Sequence, residues 1–194
     1  MERLRRAKRR HALFLYHKPP GLITTAKDPQ GRPTVFEMLP KNLPRLISVG
    51  RLDLNTEGLL LLTNDGGLSR ALELPSTGLS RIYRVRVHGN VHEDKIKRLE
   101  KGVTWKGVRY GSIKVTLEKK QAGANVWMIV ELKEGKNREI RNVMEAVGLQ
   151  VNRLIRLSYG PFELGNMPRG AMMEVKEATL RTKLPKAIVA ELFG

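Results

Sequence analysis

The sequence predicts an α+β domain with a mostly antiparallel sheet. Two observations carry this expectation. Several short segments are continuously apolar or alternate with period two, which is the spacing of strands. Short stretches of helical spacing lie between them, and glycine-rich turns punctuate the whole.

Taken in order, residues 13–16 (Leu-Phe-Leu-Tyr) read as a short buried strand, ended by the turn Lys18-Pro19-Pro20-Gly21. Thr34 caps a short helix through Met38, which Pro40 stops. Residues 46–49 read as a strand, 50–57 as a loop and 58–62 as a buried strand. Asn64-Asp65-Gly66-Gly67 is a turn leading into a short helix over 68–74. In residues 83–87, Tyr83, Val85 and Val87 share one face while Arg84 and Arg86 share the other. Residues 92–101 are helical, with Ile96 and Leu99 apolar and Gly102 past the end. Segments 111–118 and 125–133 form a strand pair joined by 119–124. Asn137 caps a helix to Val147, and Gly148 is its C-terminal glycine. Ile140, Val143, Met144 and Val147 make one stripe of that helix; Arg138, Arg141 and Glu145 make another. Residues 151–157 and 172–175 are further strands, and 186–193 a closing helix. Trp105 and Trp127 read as packing residues.

Composition narrows the function. The 194 residues are 41% apolar and 28% charged, which is a globular balance. The absence of cysteine removes disulfides, thiolate catalysis and cysteine-based zinc sites. His11, His17, His88 and His92 show no metal-ligand spacing, and His88 and His92 read as surface residues. No apolar run approaches the ~20 residues that span a bilayer, and no secretory signal follows the basic start. A cytoplasmic protein is expected. The net charge is +17, from 36 basic and 19 acidic side chains. Residues 1–10 contribute six basic groups against Glu2 and read as a disordered tail; the rest still holds 30 against 18. A field of that size favours a polyanion. RNA is favoured over DNA, because neither a zinc finger nor a basic region with heptads is present.

The richest segment runs from Gly50 to Gly66 and includes Gly50-Arg51-Leu52-Asp53-Leu54-Asn55-Thr56-Glu57-Gly58. It places Asp53 in a polar loop between two apolar strands, where a rigid scaffold presents reactive groups. Arg51 lies two residues away, so an extended backbone points it the same way and its guanidinium would hold the carboxylate ionised. The loop reads equally well as a structural turn with an ion pair. Glu57 is the nearest second carboxylate and reads as a surface residue.

This run resembles the signature of the bacterial ribosomal-RNA pseudouridine synthases, in the branch that usually begins with a ribosomal-protein-like RNA-binding domain. Lys18-Pro19-Pro20-Gly21 resembles the family's first motif and Tyr83-Arg84-Val85 its second. Residues 134–142 (Glu-Gly-Lys-Asn-Arg-Glu-Ile-Arg-Asn), with Leu154-Ile155-Arg156-Leu157 after them, resemble its third. The resemblance covers roughly residues 11–180. Only the basic tail stands before Leu13, and it is expected to replace part of the electrostatic grip of the usual N-terminal domain.

The resemblance implies an isomerase that breaks the ribose–uracil bond, turns the base and rejoins it through carbon 5, without cofactor or metal. It implies a curved, mostly antiparallel mixed sheet with flanking helices and a central active-site cleft over residues 11–194, with a smaller lobe over 11–42. Asp53, Tyr83 and Arg141 match the catalytic positions: Asp53 acts on the ribose, Tyr83 packs on the base, and Arg141 pairs with the carboxylate. Arg51, Thr56, Lys18, Arg138 and Leu157 are the expected substrate-binding residues, Lys18 through a phosphate. The N–H groups at Gly135-Lys136-Asn137 are a further phosphate site. Isomerising a base requires that it leave the stack, and basic groups then hold the backbone while an aromatic face receives it. The expected partner is ribosomal RNA of the large subunit, or a pre-ribosomal particle, met by a monomer with no membrane involved. A small-subunit target is the runner-up. A non-catalytic RNA-binding assembly factor, or a structural ribosomal protein, fits the charge equally, and the set Asp53, Tyr83 and Arg141 is what separates the enzyme from them.

Overall fold

The computed structural model describes residues 11–118 and 123–194. The basic tail and residues 119–122 of the 119–124 connection lie outside the described residues. The elements run β1 (Leu13–Lys18), β2 (Ile47–Ser48), β3 (Glu57–Thr63), α1 (Gly66–Glu73), β4 (Arg81–His88), α2 (Glu93–Lys101), β5 (Val103–Trp105), β6 (Val108–Tyr110), β7 (Lys114–Leu117), β8 (Asn125–Leu132), α3 (Glu139–Ala146), β9 (Gln150–Tyr159), β10 (Phe162–Glu163), β11 (Met172–Glu174), α4 (Glu177–Lys183) and α5 (Lys186–Phe193). The fold is α+β, as the patterning predicts. No helix among the described residues is long and apolar enough to cross a membrane.

The chain divides into two compact units, residues 1–77 with 161–194, and residues 78–160. Residues 11–42, expected as a smaller lobe, lie within the first unit. Strand β1 pairs with β3 along its whole length, from Leu13 opposite Thr63 to Lys18 opposite Gly58, so residues on either side of position 42 belong to one sheet.

In the first unit β1 lies between β3 and β11, all antiparallel, and β2 pairs with the far edge of β3. Every residue of β3 is buried, which explains its unbroken apolar run. Leu60 and Leu62 pack with Phe14, Tyr16, Leu22, Val35, Leu46 and Leu52. Each such leucine contributes about 1.5–3 kcal/mol by leaving water. The Asn64-Asp65 turn starts α1, whose first N–H groups meet the Asp65 carboxylate; the Gly67 N–H donates to it at 2.9 Å and the His11 ring also bonds it. Thr34 accepts from the Glu37 N–H at 3.3 Å, but the turn it starts is a short 3₁₀ helix, Phe36–Met38.

In the second unit the antiparallel order is β9-β4-β8-β7. Val85 and Val87 of β4, Met128 and Val130 of β8, and Leu154 of β9 form one face of this sheet. Leu99 of α2 and Ile140, Val143 and Met144 of α3 cover it. The alternation in residues 83–87 and the helical stripe from Ile140 to Val147 are therefore read correctly. A hairpin of β5 and β6 packs beside this core; it escapes a sequence reading because each strand has three residues. Its turn is Lys106-Gly107, both at positive φ (49° and 79°), as two-residue hairpins require. Helix α3 begins later than expected. Its cap is Arg138, in the left-handed region at φ 53°, and not Asn137.

Candidate active site

The Asp53 loop is built from both ends. At its start the Val49 N–H donates to Leu61 O at 2.8 Å, the Gly50 N–H bonds the Glu73 carboxylate, and the buried Leu52 side chain enters the core of the first unit. At its end the Thr56 N–H donates to Asp53 O at 3.0 Å, closing a tight turn that leaves Asp53 half-buried. The Gly21 N–H donates to Leu54 O at 2.7 Å, tying the turn after β1 to the loop.

Lys18 completes this frame. Its side chain is fully buried, and its ammonium donates to Thr56 O at 2.7 Å and to Leu54 O and Pro19 O at 3.1 Å each. Burial lowers its pKa to about 8, with the charges of Asp53 and Glu57 pulling the other way. Three N–H groups meet three carbonyls, so the geometry is that of a loop clamp and differs from the phosphate contact expected from the sequence. Thr56, also buried, closes the loop.

Two other expectations change. Arg51 is exposed, and no ion pair joins it to Asp53 among the described residues. Glu57 is not a surface residue; it is 5% exposed, and Arg169 Nη2 donates to its Oε1 at 2.5 Å. Sequence reasoning had no means of finding Arg169, which lies 112 residues away.

In the second unit Tyr83 is half-buried on β4, packed against the core that α3 covers. A β-bulge falls beside it. Ile82 is opposite Ser158 but Tyr83 is opposite Arg156, so Leu157 is the extra residue of β9. Bulges re-aim neighbouring side chains next to functional sites. Arg156, paired with Tyr83 on the same face, is 3% exposed. Its position in the third motif was legible, but not its place beside Tyr83.

Arg141 is half-buried on α3 and Arg138 is exposed at its start. The loop before α3 is fixed by two carboxyl groups that the sequence reading passed over. The Gly111 N–H donates to Glu134 Oε1 at 2.7 Å, and the Lys136 N–H donates to Glu139 Oε1 at 3.2 Å. Glu139 is 4% exposed. Burial, and then a hydrogen bond to Glu134 and its charge, raise its pKa to about 8. Burial pushes Glu134 up as well, but the hydrogen bonds from Glu139 and the Gly111 N–H, with the Lys136 charge, hold it below the usual carboxylate range. The helix start expected to bind a phosphate thus already gives the Lys136 N–H to Glu139. Glu139 is the first residue of α3 and reaches back three positions to that N–H.

Arg81 ties the sheet to the same loop. It is 7% exposed and donates to Leu79 O at 2.9 Å, to Lys133 O at 2.5 Å and to the Tyr159 hydroxyl at 3.0 Å, with its guanidinium 4.7 Å from the Tyr159 ring centre. Among the described residues no cluster of three or more His, Asp or Glu is placed to hold a metal ion.

Asp53 thus stands on a loop held by Lys18 in the first unit, and Tyr83 beside a bulge in the second, in a chain of net charge +17. Comparison with known proteins makes this specific. The model of the RNA pseudouridylate synthase family matches residues 12–146. An uncharacterized RNA pseudouridine synthase of Rickettsia bellii is 52% identical over 84% of this chain and 70% of its own length. The ribosomal large subunit pseudouridine synthase B of Yersinia pestis is 47% identical over 84% of this chain; this chain spans about half, 52%, of that relative. A crystal structure of a pseudouridylate synthase superposes with a TM-score of 0.78 at 24% identity, covering 91% of this chain and 74% of that one, which shows the shared fold. The chain belongs to the RNA pseudouridylate synthase family and is an isomerase.

Proposed function

We propose that this protein converts a uridine of large-subunit ribosomal RNA to pseudouridine, with Asp53, Tyr83 and Arg141 as its catalytic residues. One observation carries the choice of subunit: 47% identity, over 84% of this chain, to the Yersinia pestis large-subunit enzyme.

The target nucleotide leaves its stack, which makes the glycosidic bond accessible. Asp53 acts on the ribose as the bond from C1′ to N1 breaks. The uracil stays in the site and turns over the ring of Tyr83. A bond then forms from C1′ to C5, and the proton on C5 leaves to water while N1 gains one. Reactant and product have the same atoms, so no oxidant or co-substrate enters the balance. The clamp around Lys18 supports this reading because it holds the Asp53 backbone in one geometry before substrate arrives, and such preorganisation is a large part of catalytic power. Arg51 and Arg138, both exposed, contact the RNA near the target, and Leu157 borders the base. The reaction takes place in the cytoplasm on ribosomal RNA or on a pre-ribosomal particle.

The test is sequencing of pseudouridine positions in RNA from cells with and without the gene. Loss of one large-subunit position supports the reading. Loss of a small-subunit position instead overturns the choice of subunit and leaves the chemistry intact.

A further inference from the structure

Strand β1 ends at Lys18, between β3 on one side and β11 on the other. The two flanking strands are joined near that end by a pair of charged side chains. Glu57, the first residue of β3, precedes Gly58, which stands opposite Lys18. Arg169 lies three residues before β11, and its Nη2 donates to Glu57 Oε1 at 2.5 Å. The turn that delivers Arg169 is itself fastened to β1. The Ala171 N–H donates to Pro168 O at 3.0 Å, and Gly170 lies at φ 79°, as the third residue of a type II turn must. The Gly170 N–H donates to His17 O at 2.8 Å and the His17 N–H to Ala171 O at 3.0 Å. His17 Nδ1 donates to Met167 O at 2.7 Å.

The pair stands where the Asp53 loop ends. Thr56, immediately before Glu57, closes the turn onto Asp53 O and gives its own carbonyl to Lys18. Gly58, immediately after, lies at φ 108° and has no side chain to stiffen the backbone. Lys18 therefore holds the loop by its carbonyls, and Arg169 holds the loop exit by the Glu57 side chain. The Glu57 carboxylate is taken out of water, at 5% exposure, while the Arg169 side chain stays half exposed. An ion pair with one member buried is more sensitive to loss of its partner than a pair that both lie in water. The two devices also meet electrostatically: burial lowers the pKa of Lys18 to about 8, and the Glu57 charge is one of two that oppose the shift.

We propose that Arg169 is a positioning residue of the isomerase, which acts through Glu57 to fix the exit of the Asp53 loop and with it the carboxylate that acts on the ribose. This rests on the role of Asp53 given above. Arg169 contributes to turnover and not to RNA binding. A single Nη2–Oε1 bond joins the pair, so lysine can replace arginine here, as it cannot at a bidentate site.

Tritium release from ribosomal RNA labelled at C5 of uridine gives kcat and KM for wild type, Arg169→Met, Arg169→Lys, Glu57→Gln and the double variant Arg169→Met/Glu57→Gln. Each is assayed at a temperature where urea unfolding shows it folded. Arg169→Met should lose about tenfold in kcat with KM within about twofold of wild type, since a small misplacement of a reacting group acts on the chemical step. Arg169→Lys should regain most of that loss. The double variant should lose no more than the worse single variant, because the two residues act as a unit. Glu57→Gln keeps the shape of the buried side chain and serves, with the same expected loss, if Arg169→Met fails to fold. Arg32→Met breaks another ion pair of the same unit, with Asp28, that makes no bond to the Asp53 loop among the described residues; it should leave kcat unchanged. An unchanged kcat in Arg169→Met overturns the proposal, as does an equal loss in Arg32→Met. A rise in KM and a lower salt slope of binding, with kcat unchanged, also overturns it and makes Arg169 an RNA contact. Failure of the enzymatic reading would show separately, as wild-type protein that binds RNA but releases no tritium.

Discussion

The Lys18 ammonium lies 2.7 Å from the carbonyl oxygen of Thr56, three residues past Asp53, and is fully buried there. Strand β1 therefore holds the Asp53 loop by a side chain as well as by its pairing with β3. A buried cation facing carbonyls is expensive in isolation, and here three hydrogen bonds and the charges of Asp53 and Glu57 offset the cost.

Replacing this clamp tests it. Lys18→Met keeps the volume but removes the donor of the Thr56 and Pro19 carbonyls and one of the two donors of the Leu54 carbonyl. The expected loss is about 2–4 kcal/mol of stability, since each unsatisfied buried acceptor costs about 1–3 kcal/mol and the loop relaxes in part. At a temperature where the variant is folded, kcat should fall more than KM rises, because the clamp bonds lie at Leu54 and Thr56, beside Asp53, and not at Arg51. Urea unfolding and steady-state kinetics measure the two effects.

The Glu134–Glu139 pair gives a pH signature. Glu139 has its pKa raised from 4.5 to about 8, so the folded protein keeps a proton that the unfolded chain gives up. Its contribution to stability is complete below pH 4.5 and is lost as pH rises through about 8. Glu139→Gln imitates the protonated acid and does not titrate. Its Tm should exceed that of wild type by a margin that grows from pH 5 to pH 8.5, at about 2–4 °C for each kcal/mol. Parallel Tm curves for the two proteins would show that Glu139 is ionised in the fold.

Arg81 joins Leu79, Lys133 and Tyr159 through one planar group. Arg81→Lys cannot reproduce three bonds and a ring contact, so a loss of about 1–3 kcal/mol is expected. The urea midpoint should fall with the slope unchanged. Because Arg81 also fixes the loop before α3, the variant should lose activity as well.

Much of this was legible in the sequence because it is local. The apolar run of β3, the alternation of β4 and the stripe of α3 each announce an element through periodicity. The specific length of the Asp53 run announces the family. What the sequence hid depends on distant pairings. Arg169 reaches Glu57 across 112 positions, and the bulge at Leu157 exists only once β9 pairs with β4. Lys18 was visible as a motif residue but not as a clamp, since that role depends on carbonyls 36 and 38 residues on.

The central claim is that Asp53 performs uridine isomerisation. The most direct measurement uses ribosomal RNA carrying tritium at C5 of uridine and follows tritium released to water, with RNA affinity measured in parallel. The account predicts steady release by wild type, and none above background by Asp53→Asn, which should bind RNA within about twofold of wild type because an isostere at this position leaves the backbone bonds of the clamp intact. Release by Asp53→Asn at the wild-type rate, or parallel loss of affinity and turnover, would contradict a chemical role for Asp53.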